Sequence, residues 1–328
     1  MTAPPRTERI PLQIGLKKPA TSFFRRHLYI FALALAIVML IVNIGMQPNF
    51  APVRQLASFA PIALAAIATS MAMFGGGVDL SISAQMSLTS ILFIGYLTPA
   101  GLGGYIAIPI LLLIGAAIGT INGLIVVGLR LQPIVATLAV MFVLMGLNLR
   151  LAPTPLILQG SWVNDLAASV WIIPGGLITI GLALLVWFGF SRTAYGANLY
   201  AVGGNDASAF SAGVRVNAVR VLSYTLGGFV AAIGGLALTA LVSSADASTS
   251  MAYTLPAVAA VALGGVAIAG GRGSVIGALC GAAVIYLTQN LLSIFKVPSV
   301  WLNLLFGLML LFAVLLSAII SAPRKRVM

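Results

Sequence analysis

Residues 74–85 read FGGGVDLSISAQ and lie between two apolar stretches. Three consecutive glycines each cost a helix roughly 1 kcal/mol relative to alanine, so the chain is expected to leave the helical path at Gly75, Gly76 and Gly77. Asp79 follows, then Ser81 and Ser83. A carboxylate at mid-bilayer costs about 2.5–3.5 kcal/mol, which places Asp79 near a boundary or beside donors. The free amides that open the next helix are such donors, and their dipole favours a negative charge. Three roles stay open for Asp79: capping that helix, linking two helices that move, or carrying a proton or ion.

The flanks set the class. Of 328 residues, 61% are hydrophobic and only 7% charged, against roughly 25% charged in soluble domains. That is apolar material for roughly ten membrane spans of about 20 residues each. An ordinary soluble domain is excluded. The expected spans are residues 28–46, 56–74, 82–97, 105–128, 134–152, 171–190, 221–242, 254–269, 274–295 and 299–321. Backbone groups in hydrocarbon must bond internally, so these runs read as helices in a single all-α transmembrane domain over residues 28–321. The pieces beginning at Ile82 and Thr254 are short enough to be half-helices.

Charge sets the orientation. The formal net charge is +12, but the bases fall between apolar runs, a pattern of membrane topology rather than nucleic-acid binding. With ten spans and a cytoplasmic amino terminus, the inner side holds the six bases of the tail 1–27 and then Arg130, Arg192, Arg215, Arg220 and Arg272. The short tail 322–328 adds Arg324, Lys325 and Arg326. Only Arg54, Arg150 and Lys296 fall outside. Both termini are therefore expected in the cytoplasm. Trp162, Trp171 and Trp301 then read as anchors at the outer boundary and Trp187 as one at the inner boundary.

The inner connection 191–220 is long enough to carry work. Asn205 or Asp206 is expected to cap a short helix from Ala207 to Ala212 that Gly213 ends. Phe210 stands on it without an evident partner within the chain, which favours docking onto another protein. A second glycine break, GGVAIAGGRG at 264–273, includes Gly270 and Gly271. Pro61 and Pro256 precede the two breaks at equal spacing, which is either the trace of an internal repeat or chance similarity in an Ala- and Gly-rich chain. Broken backbone at membrane depth is tolerated mainly where it lines a cavity or lies within protein, and so points to a chain that moves a solute.

No catalytic constellation is present. The one histidine, His27, sits in the tail, and the one cysteine, Cys280, lies in GALCGA, where a small residue lets helices approach. No cofactor or metal site is expected. No phosphate-binding loop of the G-x-x-x-x-G-K-[ST] kind occurs, so driving energy has to come from a partner or an ion gradient. Gln85, Asn122, Thr137, Asn148 and Asn290, with Gln132, Gln289 and Asn303, are polar residues within spans. Their amides and hydroxyls suit a neutral polyhydroxylated solute or, equally, bonds between helices.

The runs GGGVDLSISA, LQPIVATLAVM, TAYGANLYAVGGNDASAFSAGV and LGGVAIAGGRGS occur in that order. Together they resemble the permease subunit of bacterial ATP-binding-cassette importers for ribose and related monosaccharides, over nearly the whole chain beyond Leu56. The resemblance implies a pair of permease subunits, identical or paralogous, two cytoplasmic ATPases and an extracytoplasmic solute-binding protein. Ala207–Gly213 would be the helix that seats in the ATPase, and Pro133 the residue that starts the fifth span. Two departures stand out. Residues 250–256 read SMAYTLP where the family usually carries an acidic Gly-x-Gly-Tyr-Glu-Leu-Asp run, and Met145 precedes Gly146 where many members have arginine. Either the solute differs from the usual sugars or a second permease supplies those groups. The rival reading is an ion-coupled secondary transporter with Asp79 as its titrating group.

Overall fold

The computed structural model describes residues 28–47 and 50–321. The basic tails expected at 1–27 and 322–328, with His27, lie outside the described residues. Twelve α-helices run along the described chain: α1 Leu28–Met46, α2 Pro52–Phe74, α3 Ile82–Leu92, α4 Ala107–Gly128, α5 Pro133–Leu151, α6 Gly175–Ser191, α7 Ala194–Gly204, α8 Asp206–Ser211, α9 Val216–Val242, α10 Thr254–Leu263, α11 Val275–Ile294 and α12 Ser299–Ser321. Six of them, α1, α2, α4, α5, α9 and α11, are long and apolar enough to cross a membrane. The pair α6–α7 is bent by 84° and makes a seventh crossing if taken as one broken span.

Boundaries follow local chemistry. Proline stands at the start of α2 and of α5, where its missing N–H has no intrahelical partner to lose. α3 continues as a π-helix over Phe93–Leu97. Two expected spans are shorter than the apolar runs predicted. The helix expected from Trp171 starts only at Gly175, because residues 169–174 form a two-stranded turn, β2 Ser169–Val170 with β3 Ile173–Pro174. The helix expected to reach Ala269 stops at Leu263, where the glycine break begins.

α9 runs through the middle. It packs along α4 and also meets α2 and α3. Gly115, Gly119 and Gly123 make the first contact close, since a Cβ at any of them would run into the backbone of α9 at Gly228, Tyr224 or Val221. Small residues at such an interface let two backbones approach, which is how helices associate where lipid removes the hydrophobic drive. α3 is buried over Ile82–Ile91. On the far side, α11 packs against α1 and α10, and α10 against α12.

The connections gather at two ends. At one, β1 Leu156–Ile157 pairs antiparallel with β4 Ser244–Ala245, Trp162 Nε1 donates to the Gly103 carbonyl at 2.8 Å, and Asn164 Nδ2 donates to Ser243 Oγ at 2.8 Å. At the other lie the two glycine breaks and the 191–220 connection. Trp171 is exposed on the β2–β3 turn. Trp187 is not an anchor: it is buried and stacks at 5.1 Å on Phe74. Its apolar ring fills the gap between α2 and α6 rather than standing at a water boundary.

Candidate functional site

Both breaks form where expected, and they touch. α2 stops at Phe74 because the amides of Gly75, Gly76 and Gly77 turn back onto the carbonyls of Ala72 and Met73, with Gly76 at φ +82°. In the second break Gly265, Gly270, Gly271 and Gly273 all take positive φ, a backbone that L-residues rarely adopt. The amide of Gly271 donates to the Phe74 carbonyl at 3.1 Å. A third segment joins them. A Cβ on Gly203, near the end of α7, would run into the Phe74 carbonyl and the Gly271 nitrogen, and one on Gly270 would meet Gly76 Cα at 2.5 Å. Bare backbone is therefore required at Gly203, Gly270 and Gly271, where they pack on Phe74, Gly76 and Gly204.

Aromatic side chains hold this junction from one side. The Phe74 ring lies 5.1 Å from Trp187 on α6 and 5.2 Å from Tyr200 on α7. The Tyr200 hydroxyl donates to the Gly273 carbonyl at 3.1 Å. Burial pushes its pKa up to about 12, so it remains a protonated donor at any physiological pH.

The short helix α8 leaves directly from the junction. Asn205 is its cap, accepting the Ser208 amide on Oδ1 at 2.9 Å. Asp206 sits in the first turn and pairs with Arg220 at 3.1 Å. Gly213 ends the segment with φ +84°, the left-handed conformation glycine supplies at helix ends. Ala207 is exposed, and Phe210 is 73% exposed, so the apolar ring on this helix is presented outward.

Behind the first break is a buried polar cluster. The Asp79 Oδ1 accepts from the Ser81 amide at 2.9 Å and the Ser81 hydroxyl at 2.6 Å. Asn122 Nδ2 on α4 lies 3.3–3.4 Å from both Asp79 oxygens and donates to Ser81 Oγ at 2.7 Å. Gln85 Nε2 donates to the same hydroxyl at 2.8 Å. Asp79 thus binds the amide just before α3 and reaches α4 as well.

The other polar residues stand elsewhere. Thr137 on α5 takes the Leu80 amide at 3.2 Å and donates to the Val78 carbonyl at 3.1 Å. Asn148 donates to the Ala84 carbonyl at 3.0 Å. Asn290 is apart from all of these, accepting from Gln47 at 2.6 Å between α11 and the end of α1. Asn122, Thr137, Asn148 and Asn290 therefore each make a contact between segments, while Gln85 bonds within the first turn of its own helix. Gln85, Asn122 and Asn148 each keep one buried side-chain oxygen with no partner, an acceptor left over inside the fold. Sequence reasoning missed Gly203, Ser81, Tyr200 and Phe74. Only the doubled glycine before Asn205 gave a signal for the first. Among the described residues no group of three His, Cys, Asp or Glu is placed to hold a metal.

Residues 51–314 match the family described as branched-chain amino acid transport system / permease component. The chain belongs to this family. The permease is 34% identical over 299 residues to the ribose import permease protein RbsC of Bacillus subtilis, an alignment covering 87% of this chain and 90% of that one. It is 31% identical over 294 residues to RbsC of Haemophilus influenzae, covering 86% and 90%. It is 32% identical over 257 residues to the autoinducer 2 import system permease protein LsrC of an Enterobacter species, covering 76% and 73%. No solved structure matches it. With its six long apolar helices, the permease is a multi-pass inner-membrane protein of the sugar-import type.

Proposed function

We propose that this permease is the membrane subunit of an ATP-binding-cassette importer for a small neutral hydroxylated solute, a monosaccharide or polyol. Separate cytoplasmic ATPases drive it, a second permease copy or paralogue completes the pathway, and an extracytoplasmic solute-binding protein delivers the cargo. The chain crosses the membrane about ten times, with α3, α10 and α12 among the crossings and both termini inside. The end carrying Arg130, Arg192, Arg215, Arg220 and Arg272 then faces the cytoplasm, as the positive-inside rule requires.

One observation carries the reading. The helix that presents Phe210 leaves from a glycine junction in which Gly203 touches both helix breaks. A push on α8 therefore reaches the inner ends of α2 and α10 without passing through flexible side chains. ATPase closure on α8 shifts the junction, and the breaks swing the spans between outward-open and inward-open states. A sugar solute is supported by the names of the ribose permeases and by the surplus of amide acceptors on α3, α4 and α5.

The test is capture. Phe210→Asp is expected to abolish copurification of the ATPase while leaving membrane insertion intact; unchanged capture removes the coupling role of α8. Uptake into vesicles is expected to require the ATPase and to resist a protonophore while ATP is present.

A further inference from the structure

A cavity of about 380 Å³ lies between the first helix break, the end of α4 and the start of α9. That volume falls in the range of small-ligand sites. Arg130, Asn217, Arg220 and Tyr224 contribute to its wall, opposite Gly76 and Gly77. Among the described residues Arg130 has no ion pair, and Arg220 shares its charge with Asp206 at the surface.

Two features are hard to account for by packing alone. Tyr224 is 2% exposed, yet its hydroxyl has no hydrogen-bond partner. Such a buried orphan costs roughly 1–3 kcal/mol unless something else satisfies it. Arg130 holds φ +53° just past the end of α4, where glycine is usual and an L-residue loses about 1–2 kcal/mol. This strained turn sets Arg130 on the wall of the cavity.

We propose that the cavity binds a small phosphate-bearing anion, held by Arg130 and Arg220 and by the Tyr224 hydroxyl. Guanidinium forks match phosphate oxygens in pairs, the phenol donates to a third oxygen, and Asn217 offers an amide at the mouth. A Cβ on Gly77 would run into the Tyr224 hydroxyl, so the bare backbone there is what lets the phenol reach the cavity wall. A bound anion ties the turn after α4 and the start of α9 to the first break, and so brakes the junction from the coupling side. The braking role rests on the proposed transport mechanism; the binding does not, and its test needs no transport.

The probes are inorganic phosphate and glycerol phosphate, titrated by calorimetry into the full chain in phosphatidylcholine nanodiscs. Arg130→Gln and Arg220→Gln are each expected to weaken binding at least tenfold, and Tyr224→Phe about threefold. Asp206→Asn, which frees Arg220, is expected to leave binding unchanged or tighter. Phosphate esters reach the site either as soluble molecules or as lipid headgroups. Phosphatidylglycerol discs that lower probe affinity in the unaltered chain but not in Arg130→Gln assign the lipid; no change assigns the soluble anion. No binding, equal binding in both arginine variants and the parent, or a loss in Asp206→Asn matching that in Arg220→Gln overturns the proposal. Arg130 is exposed on a turn, so its variant keeps the test valid if Arg220→Gln does not fold.

Discussion

Gly271 donates its amide hydrogen to the Phe74 carbonyl across 3.1 Å, so two helix breaks almost two hundred residues apart share one hydrogen bond. Neither break is then an independent hinge. Any displacement of the Phe74 end of α2 acts on the loop that leads into α11, and the α7 terminus at Gly203 is wedged against both.

Gly203→Ala is accordingly expected to spoil the junction. Its methyl would run into the Phe74 carbonyl and the Gly271 nitrogen, and overpacking of this kind costs about 1–3 kcal/mol. The variant should insert and retain the ATPase, since α8 itself is untouched, yet lose at least nine-tenths of vesicle uptake. Gly204→Ala is the control: no atom lies within 4 Å of the methyl it adds, and uptake should stay within about twofold of the parent. Equal loss in both would mean that the segment tolerates no alanine for reasons other than contact.

Asp79 supplies the second case. Its oxygens gather Ser81 and Asn122, which ties the start of α3 to α4. A hydrogen bond contributes roughly 0.5–1.5 kcal/mol net, and a buried partner left unsatisfied costs about 1–3 kcal/mol. Asp79→Asn and Asn122→Ala are each expected to lower the unfolding midpoint by several degrees, and the double variant by less than their sum, because both remove the same contact. Asp79→Asn should still import solute, slowly, with ATP. Complete loss of uptake with an unshifted unfolding midpoint would assign the carboxylate to proton or ion transfer instead.

Much of this site was legible because it rests on local rules. Three glycines end a helix wherever they stand, and Asn205 and Gly213 bracket α8 by their own chemistry. The exposed Phe210 followed from the absence of a partner nearby. What stayed hidden was long-range. Gly203 is one of 35 glycines, and although it stands in a doubled glycine before Asn205, nothing local says that it touches residues 74 and 271. The polar residues were harder still: an amide in an apolar run is the same letter whether it faces solute or another helix. Asn290 turned out to bind Gln47, while Gln85 and Asn122 converge on Ser81. Trp187 was misjudged for the same reason, since a tryptophan near a span end fills a gap between helices as readily as it anchors at a boundary.

The cap of α8 gives a third prediction. Asn205→Ala removes the acceptor for the Ser208 amide, and loss of such a cap costs about 1 kcal/mol. Spread over a six-residue helix, that is enough to raise hydrogen exchange at residues 206–211 several-fold. ATPase capture should weaken without vanishing, because Phe210 remains. Asp206→Ala removes only a surface ion pair, worth about 0–1 kcal/mol, and is expected to alter exchange less. If Asp206→Ala proved the more damaging for capture, its carboxylate would be contacting the ATPase directly.

The last prediction separates the scaffold from the moving parts. α4 lies on α9 through Gly115, Gly119 and Gly123, and at Gly119 an added methyl would strike the Tyr224 carbonyl. The atom in the way is backbone, so no rotamer relieves the clash; the two helices must separate, and the buried oxygens of Asn122 and Gln85 next to them lose their setting. Gly119→Leu is therefore expected to reduce the yield of folded protein in the membrane severalfold and to lower its unfolding midpoint by at least ten degrees. Gly128→Ala on the same helix has open space around it and gains helix propensity of up to about 1 kcal/mol, so it should be neutral or mildly stabilising. Detergent extraction followed by a thermal unfolding scan reads both. Equal stability of the two variants would show that α4 and α9 are not in backbone contact, and the central packing of the fold would have to be redrawn.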